Sequence, residues 1–175
     1  MGRDSLVCEF SRLLFYCRRC SLARMFLLRR FIIHWLPLLL WMAVIFGAST
    51  NLGSPSHTSL FVRPFLLWLN PHMSEATIDR VHYCIRKTAH FVEYSMLGFL
   101  IWRVIESSEA LAGHPPTSHF RLALLLAALY AATDEAHQMF VPTRQPAVTD
   151  VLLDTCGAGF GLAVTWGVLG RRKPR

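Results

Sequence analysis

Two segments of this chain, Phe31 to Ser49 and Asp150 to Leu169, are long and apolar over most of their length. About 20 mostly apolar residues cross the hydrocarbon core of a bilayer as one helix, and few other folds can use such a run. Between them lie two further candidates. Thr88 to Ile105 carries His90, Glu93 and Arg103, and Phe120 to Thr133 reaches spanning length only by taking in Asp134 to Gln138. Leu122 to Ala132 is continuously apolar and rich in Leu and Ala, which favours helix over strand. The chain of 175 residues is 53% hydrophobic and only 17% charged, with a mean hydropathy of +0.37. A soluble domain of this length is less apolar and more charged. The expected fold class is an all-α membrane protein, a four-transmembrane-helix bundle.

The net charge of +7 is unevenly placed. Arg3, Arg12, Arg18, Arg19, Arg24, Arg29 and Arg30 precede the first span, and Arg171, Arg172, Lys173 and Arg175 follow the last. Basic residues flanking spans mark the cytoplasmic side. Both termini are therefore expected inside, which requires an even number of spans and agrees with four. The same basicity attracts anionic lipid. It does not point to nucleic acid, since no basic domain carries interleaved aromatics. Cys17-Arg-Arg-Cys20 is a single C-x-x-C that cannot complete a tetrahedral zinc site. Structural disulfides are not expected on the cytoplasmic side. No cofactor and no resident metal is called for.

Three regions follow. Residues 1–30 form a basic extension without a cleavable signal-peptide pattern. It reads either as an amphipathic segment on the membrane face or as sequence ahead of a start at Met25, contributing nothing to function. Residues 31–170 are the membrane domain, and residues 171–175 a basic tail. Within the domain, Pro37 either begins or kinks the first helix. Gly47 to Pro55 is a run of turn formers. Phe61 to Leu69 is apolar but short and interrupted by Pro64, which suits an interfacial or re-entrant segment. Ser74 is placed to cap a helix running from Glu75 to about Ile105. Gly113-His-Pro-Pro116 forms the inner turn, and Pro142 and Pro146 the outer one.

With this topology Lys87, His90, Glu93 and Tyr94 occupy the outer half of the second span. Asp134, Glu135 and Gln138 stand at the outer end of the third, Arg144 in the outer loop, and Asp150 and Asp154 at the start of the fourth. Ionisable groups at membrane depth mark functional sites. At about 100° per residue, Lys87, His90, Glu93 and Tyr94 share an arc of roughly 120°. Asp134 and Gln138 share a face continued by Ala127 and Ala131. Asp150 and Asp154 share one continued by Gly157 and Gly161, a G-x-x-x-G that permits close helix approach. The expectation is a tight bundle carrying a polar bowl near the outer interface.

Arg86-Lys87-Thr-Ala-His90-Phe-Val-Glu93-Tyr94-Ser-Met-Leu97-Gly98 resembles the first signature of the VanZ-like family. Asp134-Glu135-Ala-His137-Gln138-Met-Phe140-Val-Pro142-Thr-Arg144 resembles its second, and Asp150-Val-Leu-Leu-Asp154-Thr-Cys-Gly157-Ala its third. The Trp35 to Ser49 span is similar to the family's first helix. The resemblance covers roughly residues 31–169. Thr143 stands where the family usually has Gly, and Asp154 where it usually has Asn. The resemblance implies a bacterial integral membrane protein of the cytoplasmic (inner) membrane, multi-pass, in a family whose namesake is associated with low-level teicoplanin resistance. It brings no established catalytic mechanism.

Four readings of the polar residues compete. They are glue, with Arg86, Lys87 and Arg144 pairing the acids. Or they bind a lipid or lipid-linked envelope precursor, Arg144 and Lys87 meeting phosphate or carboxylate. This second reading is the favoured one, with binding residues Lys87, His90, Glu93, Tyr94, Asp134, Glu135, Gln138, Arg144, Asp150 and Asp154. A third reading is a membrane enzyme acting on a lipid or phosphate headgroup, with His90 or Glu135 as general base, or with His90, Glu93, Asp134 and His137 around a divalent ion. The fourth is a proton or ion relay, for which the inner halves of the third and fourth spans supply no acids. Other histidines, His119 among them, are expected to be solvated, Arg103 to snorkel to the inner interface, and Trp102 and Trp166 to lie near that interface or between helices. The sequence does not set the oligomeric state.

Overall fold

The computed structural model describes residues 25, 28–50, 53–111, 113–142, 144 and 147–169. Most of the basic extension with Cys8, Cys17 and Cys20, the basic tail, Thr143 and Pro146 lie outside them. The described residues are helical, with no strand. The first helix passes through a π-helical turn at Phe31–Trp35 into α1, Leu36–Ser49. Pro37 explains the wide turn, because it has no N–H to donate back into the preceding turn. The helices α2 (Pro55–Leu69), α3 (Glu75–Ser107), α4 (Pro116–Gln138) and α5 (Val148–Leu169) follow.

Capping fixes where these helices begin. Ser54 and Ser74 accept hydrogen bonds from the backbone N–H groups of His57 and Thr77, at 3.4 and 3.3 Å. The α3 helix then runs 33 residues without interruption, about 50 Å at 1.5 Å per residue. The expected apolar patch before it is the C-terminal part of α2, which accommodates Pro64 and turns Phe61, Phe65 and Trp68 outward. Leu66 and Ile78 are buried, and Thr58 meets His82 at 2.8 Å. At the exposed end of this hairpin Arg63 pairs with Glu75 and holds that carboxyl below its usual range.

The α3 and α5 helices are the centre of the molecule. Phe91, Ser95 and Gly98 lie against Gly157, Gly161 and Ala158, so the two run in parallel. A Cβ at Gly98 would stand 2.6 Å from the Ala158 carbonyl oxygen, and one at Gly161 would strike the Ser95 carbonyl. Backbones approach this closely only where side chains are absent. The Ser95 hydroxyl donates to the carbonyls of both Phe91 and Gly157, at 2.7 and 2.9 Å. Ala123, Ala127 and Ala131 present the small face of α4 to the same seam and are fully buried.

The first helix packs on the flank of this seam, with Leu38 and Ile45 buried in the shared core. The Trp41 indole donates to the Glu93 carbonyl at 2.9 Å, and the Tyr130 hydroxyl to the Met42 carbonyl at 2.7 Å. Arg30 reaches the Ser107 carbonyl, and Arg103 the Ile33 carbonyl at 3.1 Å. Trp166 stacks between Trp102 and Phe120, at 6.2 and 5.6 Å. His119 departs from expectation: it is buried, with Nδ1 2.7 Å from the Glu106 carboxylate and Nε2 3.2 Å from the Leu111 carbonyl. The turn between α3 and α4 brings Glu106 back over the start of α4, a contact that hydropathy does not encode.

Among the described residues, two helical stretches are long and apolar enough to cross a membrane, Leu28–Ser49 and Val148–Val168, with mean hydropathies of 2.1 and 1.4. The α3 and α4 helices are long enough too. What lowers their hydropathy includes the polar residues gathered at one end of the bundle.

Candidate functional site

That end is assembled from five helices and one loop. A cavity of about 310 Å³ opens there, lined by Pro55, Tyr83, Arg86, Lys87, His90, Gln138, Arg144 and Asp150. Lys87, His90, Gln138, Arg144 and Asp150 come from the sequence-predicted set. Pro55 and Tyr83 were not singled out. Arg86 belongs to the first signature but was read only as a structural partner. Its position one turn before His90 on α3 was the signal that it shares the same face.

The cations at the wall differ in how they are held. Lys87 pairs with Asp150, and its ammonium lies 5.3 Å from the centre of the Tyr83 ring. Arg144 is buried and donates to the carbonyls of Ala48 and Thr50 at the end of α1. Burial pulls its guanidinium below the ordinary arginine value, but from so high a start that it keeps its charge. Its Nε has no hydrogen-bond partner among the described residues. Arg86 is half-buried and makes no ion pair with a described residue.

Behind this wall stand the carboxylates. Asp134 accepts from the Ser49 hydroxyl at 2.6 Å, and the Gln138 amide reaches both Ser49 and Asp134 at 3.3 Å. Ser49 is the polar contribution of the first helix. Sequence periodicity could not reveal it, because a serine at the end of an apolar run reads as a turn former. Asp154 is fully enclosed, with His90 Nδ1 3.6 Å from Oδ1. Tyr94 is fully buried beside these groups, its hydroxyl unpartnered among the described residues. Glu135 stands apart from the wall: Oε2 accepts the Ala147 N–H at 3.0 Å and so fastens the loop entering α5. Glu93 is half-buried within electrostatic range of His90, Asp154, Asp134 and Arg144. His137 stacks on Phe46 at 4.4 Å. Among the described residues, no three His, Cys, Asp or Glu side chains converge as a metal site.

Nine buried side-chain polar atoms lack a hydrogen-bond partner among the described residues, and seven of them belong to His90, Tyr94, Asp134, Glu135, Arg144 and Asp154. Native proteins leave few such atoms, and each normally has a reason. Their concentration at one end of the bundle singles out this group of side chains as the candidate site. Chemically, cations face the opening, carboxylates stand behind them, and one imidazole lies between.

No curated protein and no solved structure matches the chain. A family model described as VanZ/LLP1 matches residues 34–169, a range that holds every helix of the site and all three polar signatures. On that match, together with the arrangement just described, the chain belongs to the VanZ/LLP1 family.

Proposed function

We propose that this protein is a four-span, multi-pass protein of the bacterial cytoplasmic membrane, with both termini cytoplasmic. In this reading its outward-facing cavity binds the anionic headgroup of an envelope lipid or a lipid-linked cell-wall component. Holding or shielding that component is how it would contribute to tolerance of teicoplanin-type or other envelope-directed compounds. The observation that carries this is the cavity wall. Arg86, Lys87 and Arg144 line it with a single carboxylate, Asp150, that already pairs with Lys87. Guanidinium groups suit phosphate and carboxylate because they offer paired donors in a fixed fork.

Arg86 is the sharper residue for a test, since Arg144 also holds α1 in place. In native mass spectrometry of the protein in mixed nanodiscs, Arg86→Gln is expected to lower retention of anionic lipid about tenfold relative to phosphatidylcholine. Unchanged retention with a folded variant would reject the reading.

One observation favours a second reading, an enzyme acting on a lipid phosphate. His90 lines the cavity while its Nδ1 faces the enclosed Asp154, an orientation that leaves Nε2 for proton transfer. Phosphate release from phosphatidate vesicles, abolished by His90→Gln and retained by Glu135→Gln, would distinguish this from binding. No release from the unaltered protein would end it.

A further inference from the structure

A second opening lies farther along the same helix. It is a groove of about 360 Å³ between the first helix, α3 and α4, with Leu38, Met42, Leu97, Ile101, Leu126 and Leu129 in its wall. Two hydroxyls also line it, and both are engaged internally. Tyr130 donates to the Met42 carbonyl at 2.7 Å, and Thr133 to the Tyr130 carbonyl at 2.7 Å. Each has spent its one donor, and apart from these oxygens and the Trp35 indole the lining is apolar, so hydrocarbon is the occupant that fits.

The groove and the cation-lined cavity are in register. At about 100° per residue, Tyr83, Arg86, Lys87 and His90 fall within the same roughly 100° arc of α3 as Leu97, Ile101, Val104 and Ile105. Tyr94 stands on that face between the two sets, fully buried. Leu97 to Ile105 lie about 10–22 Å beyond His90 along the helix axis, at 1.5 Å per residue. One leaflet of a bilayer is about half of a 30 Å hydrocarbon core, so the nearer part of the groove, from Leu97, lies at acyl-chain depth beneath a headgroup at the cavity. In volume, a cavity of about 150 Å³ takes one benzene, and by that scale the groove holds on the order of a dozen carbons.

We infer that the ligand of this site is a phosphate amphiphile bound in two parts: the phosphate among Arg86, Lys87 and Arg144, and one acyl chain in the groove between the first helix and α4. The inference rests on the headgroup reading above and adds the tail. It also gives a role to the seam of the first helix with α3 and α4, which is the tail site.

The test uses the full chain in phosphatidylcholine nanodiscs with two probes, oleoyl lysophosphatidate and glycerol 3-phosphate. Lysophosphatidate is expected to bind at least tenfold more tightly. Leu129→Trp, at a groove position that is 56% exposed and so able to accept bulk, should weaken lysophosphatidate about tenfold and leave glycerol 3-phosphate unchanged. Leu126→Trp is the independent second variant, and Val168→Trp, exposed on α5 away from the groove, controls for added bulk. Arg86→Gln should weaken both probes. Equal affinities for the two probes, or tryptophan variants in the groove no weaker than Val168→Trp, would overturn the tail assignment while leaving the headgroup reading intact. Insensitivity of both probes to Arg86→Gln would instead overturn the headgroup reading.

Discussion

Asp154 and His90 show how the site depends on single contacts. Asp154 is fully enclosed, and among the described residues only His90 comes within ion-pair distance. Removing one partner of a buried pair leaves an uncompensated charge and costs about 3–5 kcal/mol. Asn at position 154 keeps the shape without the charge. His90→Ala is therefore expected to destabilise the protein strongly, and much less when Asp154→Asn is already present. A double-mutant cycle of unfolding in bicelles measures the difference, and equal losses in both backgrounds would show that the two side chains are uncoupled. A second prediction concerns Ser49. Its hydroxyl is the 2.6 Å donor to Asp134, so Ser49→Ala should cost about 1–3 kcal/mol, the penalty for an unsatisfied buried acceptor. A loss within error in the same unfolding assay would mean that Gln138 alone satisfies the carboxylate. Asp154, His90 and Asp134 were legible from the sequence because helical spacing collects them on faces. Ser49 was not, since its value comes from where the first helix lands.

At the scale of elements, the seam between α3 and α5 sets everything else. Gly161 lies where a side chain would meet the Ser95 carbonyl, which is backbone and cannot swing aside. Gly161→Val is expected to separate the helices and cost more than the 1–3 kcal/mol of ordinary overpacking. Gly167→Ala, near the end of the same helix with nothing within 4 Å, should be nearly neutral. Thermal unfolding in detergent separates the two, and similar midpoints for both variants would refute the close-approach argument. This seam could be read in advance from Gly157-x-x-x-Gly161 and from Ala127 and Ala131, because small residues at helical spacing have few other uses in an apolar helix. The length of α3 was legible for a related reason, an N-cap at Ser74 followed by a long run without proline. The π-helical turn of the first helix, the course of α2 and the His119–Glu106 pair were not. Each depends on tertiary placement of residues whose local pattern permits several outcomes.

For the whole molecule, the two ends of the bundle differ in chemistry. The ionisable groups of the candidate site converge where α1 and α4 end, α5 begins and the Arg86 to Glu93 stretch of α3 passes, while Trp102, Phe120 and Trp166 pack at the other end beside the Glu106–His119 pair. The four-span reading turns that polarity into a statement about sidedness, and labelling can test it. In a background with the natural cysteines replaced by serine, Asn70→Cys lies in the exposed turn before α3, and His114→Cys in the exposed turn before α4. If α3 crosses the membrane, a membrane-impermeant maleimide added to intact cells should label Asn70→Cys, and label His114→Cys only after permeabilisation. The direction matters as much as the difference. Arginines crowded before the first span put the His114 turn inside, so the reverse pattern would turn the cavity toward the cytoplasm and remove the envelope ligand from its reach. Labelling of both positions from one side would make α3 a helix that returns to or lies along a single face. Its 33 residues would then be explained by packing against α5 alone, and the alignment of cavity and groove across the depth of a leaflet would lose its meaning.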